Sequence, residues 1–102
     1  MRIDDLKSIL DTDHLLWTTH CLQRMGERDI QRADVINCIR NGEIIEDYPD
    51  DYPNPSCLVF GFTCSGRILH VVAGSDGTHI FIITAYFPSA EKFESDMKTR
   101  RN

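Results

Sequence analysis

The chain lacks any apolar run approaching the roughly 20 residues that cross a membrane as a helix, so no membrane partner is expected. Its start, Met1-Arg2-Ile3-Asp4-Asp5, has neither the basic head nor the apolar core of a secretion signal, and the expected location is the cytoplasm. Cysteine is sparse. Cys21, Cys38, Cys57 and Cys64 lie in apolar, patterned segments, and no two have the two-residue gap of zinc knuckles or redox motifs. They read as reduced core thiols, and neither a metal nor another cofactor is expected. Internal repeats and low-complexity tracts are also missing, which excludes solenoids and tethers. At 102 residues the expectation is one domain, 1–102, burying roughly two thirds of its unfolded surface.

Positive charge is not in excess either: the net charge is −5. The imbalance is local. Segment 42–55 holds Glu43, Glu46, Asp47, Asp50 and Asp51 and no Lys or Arg, while the remainder balances 11 basic against 11 acidic residues. Long-range attraction to a polyanion is therefore weak, and any nucleic-acid contact must rest on local arginine placement. Asp50 and Asp51 have no nearby histidine or spaced carboxylates, so the acidic stretch reads as a solvated connection or a docking strip for a basic partner, not a metal site.

Ile3, Leu6, Ile9 and Leu10 share one face of a first helix that Asp11-Thr12-Asp13 ends. Thr18 or Thr19 caps a second helix carrying His20, Cys21, Leu22, Arg24 and Met25, with Gly26 at its end. A third helix over 32–40 stops at Asn41-Gly42. The period then turns to alternation. An edge strand over 43–47, a proline-stiffened loop over 48–55 and three strands over 56–64, 67–74 and 78–87 are expected, with Ser65-Gly66 and Asp76-Gly77 as two-residue hairpin turns. Pro88 ends the last strand, and Ser89 caps a final helix to about Lys98. The class is α+β: N-terminal helices on a small, mainly antiparallel sheet of three to four strands, closed by a C-terminal helix.

Two-residue turns would fix the register. Phe62 then faces Leu69, Arg67 faces Tyr86, and Leu69 faces Thr84. One sheet face carries Leu58, Phe60, Phe62, Leu69, Val71, Ile80 and Ile82 as core, with Arg67, Thr84 and Tyr86 at one end. The other carries Gly61 directly opposite His70, leaving room beside the imidazole.

The chemically capable side chains gather in two places. His20, Arg24 and Arg28 recur every four residues and drift about 40° per step towards the apolar side of their helix. His20 lies in the first turn, where the helix dipole favours neutral imidazole and free backbone N–H groups favour an anion. Their structural alternative is packing at the core edge with arginines paired to Glu27, Asp29 or Asp34. His70 interrupts the aliphatic string Ile68-Leu69-His70-Val71-Val72, either as a base or as a satisfied buried histidine. Arg67, Thr84 and Tyr86 can hold an oxyanion together, or form a polar rim at the sheet's end. His14 and His79 read as turn and strand-end residues.

From Thr19 onward the string resembles a bacterial family, domain of unknown function 4258. The matching residues are His20, Arg24-Met25, Arg28, Ile30, Asp34-Val35, Gly42-Glu43, Ile45-Glu46, Tyr48-Pro49, Asp51, Pro53, Pro55-Ser56, Leu58 and Gly61. They continue through Gly66-Arg67, Leu69-His70-Val71-Val72, Ile83-Thr84-Ala85-Tyr86, Pro88 and Arg100-Arg101. Asp29 stands where the family usually has glycine, and Phe93 where it often has tryptophan. By analogy the resemblance implies a RelE- or barnase-like fold and a metal-independent ribonuclease of a toxin–antitoxin pair, acting on RNA and restrained by an antitoxin protein. It carries over His20, His70, Arg67 and Tyr86 as catalytic candidates and Arg24, Arg28 and Thr84 as substrate-binding ones. In that reading His20 or His70 takes the ribose 2′-hydroxyl proton, the arginines hold the phosphate, and Tyr86 or the other histidine protonates the leaving oxygen. The alternative is a non-catalytic interaction module that binds a protein through the acidic, tyrosine-rich loop or an edge strand. An enzyme should bring a histidine and two arginines to one cavity. A module should show them paired with carboxylates and dispersed.

Overall fold

The computed structural model describes residues 1–102. Three helices, α1 (Ile3–Leu10), α2 (Thr19–Glu27) and α3 (Arg32–Asn41), accompany five strands: β1 (Leu15–Trp17), β2 (Glu43–Tyr48), β3 (Ser56–Phe62), β4 (Ile68–Ser75) and β5 (Ile80–Tyr86). They form one sheet in the order β1-β5-β4-β3-β2. The outer strand β1 runs parallel to β5, and the other pairs are antiparallel. The α+β class holds, but the expectation of three to four mainly antiparallel strands with a C-terminal helix is overturned: the sheet is five-stranded and mixed, and no helix follows β5. No helix is long and apolar enough to cross a membrane.

Leu15-Leu16-Trp17 is too short for a period to be read, and becomes a strand because β5 offers it a parallel edge, with Ile80 N–H donating to the His14 carbonyl at 2.9 Å. After Ser89 only one turn winds before the segment folds back. Asp96 accepts from the Lys98 and Thr99 amides and from the Thr99 hydroxyl, an alternative to helical bonding, and Phe93 bridges to Arg100. Residues 89–102 are thus an irregular strap across the sheet, anchored by the buried ring of Phe93.

α2 runs one residue past Gly26. Thr18 caps its start, its side chain accepting from the Cys21 amide at 3.0 Å. At the other end Ile30 N–H bonds Met25 O at 2.8 Å and Asp29 N–H bonds Gly26 O at 3.3 Å, a Schellman closure with Asp29 at φ 58.

The expected register is also corrected. The β3–β4 turn is a three-residue loop, Cys64-Ser65-Gly66, with Gly66 at φ 90 and Thr63 N–H bonding Arg67 O at 2.8 Å. That single extra residue pairs Phe62 with Ile68 and Phe60 with His70, and exchanges the faces. The second turn spans four residues because Asp76 Oδ1 accepts from both Thr78 and His79 N–H. A bulge at Ile83 then shifts β5 again, so Tyr86 faces His70 and Thr84 faces Val72. Gly61 belongs to the helix-covered face, opposite Leu69. A Cβ there would lie 2.5 Å from the Cys38 carbonyl, so the glycine serves close approach of α3 and leaves no room for a ligand.

The core lies between the helices and the face formed by Cys57, Val59, Leu69, Val71, Ile80, Ile82 and Ala85. The strap covers part of the opposite face, which holds Leu58, Phe60, His70 and Tyr86.

Candidate functional site

A cleft of about 370 Å³ opens where the end of β5 meets the C-cap of α2 and the start of the strap. Arg28, Tyr86, Phe87, Ser89 and Lys92 line it. β1 stops opposite Ile82, so the last residues of β5 have no strand on that side. Arg28 fills the vacancy: its guanidinium donates to the Ala85 carbonyl at 2.9 Å and to the Thr84 hydroxyl at 3.3 Å. Neither Arg28 nor Lys92 is paired with a carboxylate. Arg67 precedes β4 and stacks its guanidinium 3.4 Å above the Phe87 ring, on the wall of the same cleft.

Behind Tyr86 lies His70, wholly buried. Its Nε2 is 2.7 Å from the Met97 carbonyl and its Nδ1 is 3.2 Å from the Tyr86 hydroxyl. A carbonyl only accepts, so the network assigns the proton to Nε2 and leaves Nδ1 as acceptor of the phenolic O–H. Tyr86 therefore gives its proton to the interior. Burial lowers the His70 pKa below its ordinary 6.5; the Met97 hydrogen bond and the Glu46 carboxylate pull it back in part. Burial raises that of Tyr86.

A charged cluster closes this arrangement from the β2 side. Arg100 donates to both carboxylate oxygens of Glu46, at 3.1 and 3.0 Å, and Tyr48 donates its hydroxyl to the same group. The Arg100 guanidinium and the Tyr48 hydroxyl hold Glu46 below the usual carboxylate range; Tyr48 is pushed up to about 12, by burial first and then by Glu46. The strap turns at Met97 with φ 57, which brings its carbonyl to His70.

The sequence candidates are thus divided. Arg28 and Tyr86 line the cleft with His70 directly behind Tyr86, while Thr84 is joined to it only through the Arg28 guanidinium and Arg67 through the Phe87 ring. His20 is exposed in the first turn of α2, about 12 Å along the helix from Arg28, with no hydrogen-bond partner. Arg24 is exposed and pairs with Glu27 at 3.3 Å. The expected pairing of Arg67 with Tyr86 is replaced by that of His70 with Tyr86. Lys92, Glu46 and Arg100 are not among the sequence candidates: the expected C-terminal helix covers Lys92, and Glu46 and Arg100, although both stand in the family string, lie 54 residues apart with nothing in the sequence to pair them. Of the cysteines, Cys21, Cys38 and Cys57 are buried thiols, Cys38 pushed up to about 12 and Cys57 to about 11, mainly by burial, whereas Cys64 is exposed, against expectation. A larger cleft of about 680 Å³ beside α1 contains Asp5 and Asp76 and no histidine or arginine, and does not suit an anionic substrate.

The family model for a domain of unknown function (DUF4258) matches residues 17–87. That span takes in all seven sequence candidates and leaves Lys92, Met97 and Arg100 of the strap outside. No curated protein and no solved structure matches the chain.

Proposed function

We propose, from the premise that this chain belongs to the domain of unknown function DUF4258 family, that it is a toxin-type ribonuclease which needs no metal ion and is restrained by an antitoxin protein. The observation that carries the reading is the hydrogen bond from Tyr86, on the cleft wall, to the neutral Nδ1 of buried His70, beside an arginine with no carboxylate partner.

In this reading the scissile phosphate sits against Arg28 and Lys92, which stabilise the charge that builds on its oxygens. The ribose 2′-hydroxyl attacks phosphorus, and the bond to the 5′-oxygen breaks, leaving a 2′,3′-cyclic phosphate. The 2′-hydroxyl proton passes to the Tyr86 oxygen as the phenolic proton passes to His70 Nδ1. His70 becomes an imidazolium facing the Glu46 carboxylate, and the Lys92 ammonium gives a proton to the departing oxygen. His70 never touches substrate. It is a positioning residue and proton store acting through Tyr86, which is the catalytic residue. Phe87, backed by Arg67, is a stacking surface for an adjoining base, and the row His20, Arg24, Arg28 is the path of the strand along α2.

The test is cleavage of end-labelled single-stranded RNA by purified protein in the presence of a chelator, with wild type beside Tyr86→Phe and Arg28→Ala. Tyr86→Phe is expected to slow cleavage by about 10²- to 10⁴-fold when assayed well below its melting temperature, which the unpaired Nδ1 of buried His70 lowers through a loss of about 1–3 kcal/mol, with a 2′,3′-cyclic phosphate as the wild-type product. Cleavage by Tyr86→Phe at the wild-type rate, or none by wild type, overturns the reading.

A further inference from the structure

On the strap-covered sheet face, four residues along β4 from His70 and so about 13 Å away, a second depression of about 240 Å³ opens at Gly74. Gly74 is paired with Ser56 on one side and Phe81 on the other, so its missing side chain forms the floor. Tyr52 and Pro53 stand on one rim, Phe81 and Ile83 on the other. Ile83 is the extra residue of the β5 bulge, and the bulge turns it outward: it is 45% exposed, with its Cδ1 leaning over Gly74. Tyr52 is 91% exposed, an aromatic ring projecting from a loop that Pro49, Pro53 and Pro55 stiffen. Asp51 fixes that loop by accepting from the Tyr52 amide at 2.9 Å and the Ser56 hydroxyl at 2.6 Å.

The volume is below that of small-molecule pockets and suits one or two apolar side chains. The charge beside it is one-signed. Glu43 and Glu46 are matched by Lys98 and Arg100, but Asp50 and Asp51 meet no cation. An exposed tyrosine on a proline-stiffened loop, an aliphatic residue aimed outward by a bulge and two carboxylates without a cation, Asp51 in the lining and Asp50 next to it in the chain, form the pattern of a protein-binding anchor with a polar rim. We infer that this groove docks a segment of a partner protein in which an aliphatic or aromatic side chain, seated over Gly74, is flanked by lysine or arginine that meets Asp50 and Asp51. Nucleic acid and anionic lipid are disfavoured by the same two carboxylates. The inference does not depend on the cleft's activity, since no groove residue belongs to that machinery.

The test is selection from a random peptide display library on the folded full chain, with Ile83→Glu as the counter-target. Tyr52 and Ile83 are exposed, so Tyr52→Ala and Ile83→Glu should melt with the wild type. Selected peptides should carry an apolar residue between basic ones. Both variants should weaken the best of them at least tenfold, and Asp50→Lys should weaken it while leaving apolar control peptides unaffected. Selection without basic enrichment, equal binding to Ile83→Glu, or no enrichment over the counter-target overturns the inference. So does a dimer in sedimentation equilibrium that Ile83→Glu dissolves, which would make a second copy of the chain the occupant.

Discussion

Single positions decide much of this molecule's behaviour, and Asp29 is the plainest case. It holds φ 58 at the Schellman closure of α2, has no side-chain hydrogen bond, and is exposed. An L-residue there costs roughly 1–2 kcal/mol in Cβ contacts, part of which glycine returns as unfolded-chain entropy. Asp29→Gly is therefore expected to stabilise by up to about 1 kcal/mol, read as a rise in the urea midpoint at unchanged slope; a lower midpoint would refute the account. His70 gives a second residue-scale prediction. Its folded pKa is depressed below 6.5 by burial, so between that lower value and 6.5 the unfolded chain binds the proton and the folded chain does not. Its contribution is complete above 6.5 and is lost as pH falls through the folded value. Midpoints measured from about pH 7.5 down to about pH 5 should drop for wild type. His70→Leu should be less stable throughout but show a flatter profile over that range.

Elements were legible where their own residues supplied the signal. The helices near 3–10, 19–26 and 32–40 followed from apolar spacing and caps, and β2 to β5 from alternation and turn residues. β1 was not legible, because three apolar residues have no period and their strand exists only on the edge that β5 provides. The C-terminal helix failed because Asp96 offers its carboxylate to two amides and Phe93 is held by the sheet instead of a helix neighbour. The register failed on one residue of turn length, and with it the reading of Gly61. Gly61→Ala would press a Cβ to within 2.5 Å of the Cys38 carbonyl and 2.8 Å of its Sγ, both on α3, so a loss of about 1–3 kcal/mol is expected. Wild-type stability for that variant would show that α3 does not rest on this contact. For the strap, the Arg100 side chain is half exposed, so Arg100→Ala should cost no more than about 1 kcal/mol globally. Amide exchange over 89–102 should nevertheless quicken, because Glu46 is what holds the strap's last turn.

At the scale of the whole molecule, the fold divides the seven candidates: Arg28 and Tyr86 share the cleft with His70 behind them, while His20 and Arg24 lie apart along α2. Sequence spacing put His20, Arg24 and Arg28 on one helix side, but the edge vacancy that draws Arg28 onto β5 arises only when β1 stops short. The bulge that brings His70 behind Tyr86 is likewise a property of the assembled sheet. The charge distribution leads to the remaining prediction. With a net charge of −5 there is no long-range pull on RNA, and the proposed cleft meets phosphate with two unpaired cations, Arg28 and Lys92. Single-strand binding that releases one counterion per phosphate contact should then give a log–log salt slope of about −1.4, at about −0.7 per contact. Arg28→Ala should halve that slope, and Arg40→Ala, whose partner is Asp11 at the C-cap of α1, should leave it unchanged. A steep slope insensitive to Arg28 would mean that RNA is held by dispersed surface charge, and the cleft would lose its claim to the phosphate.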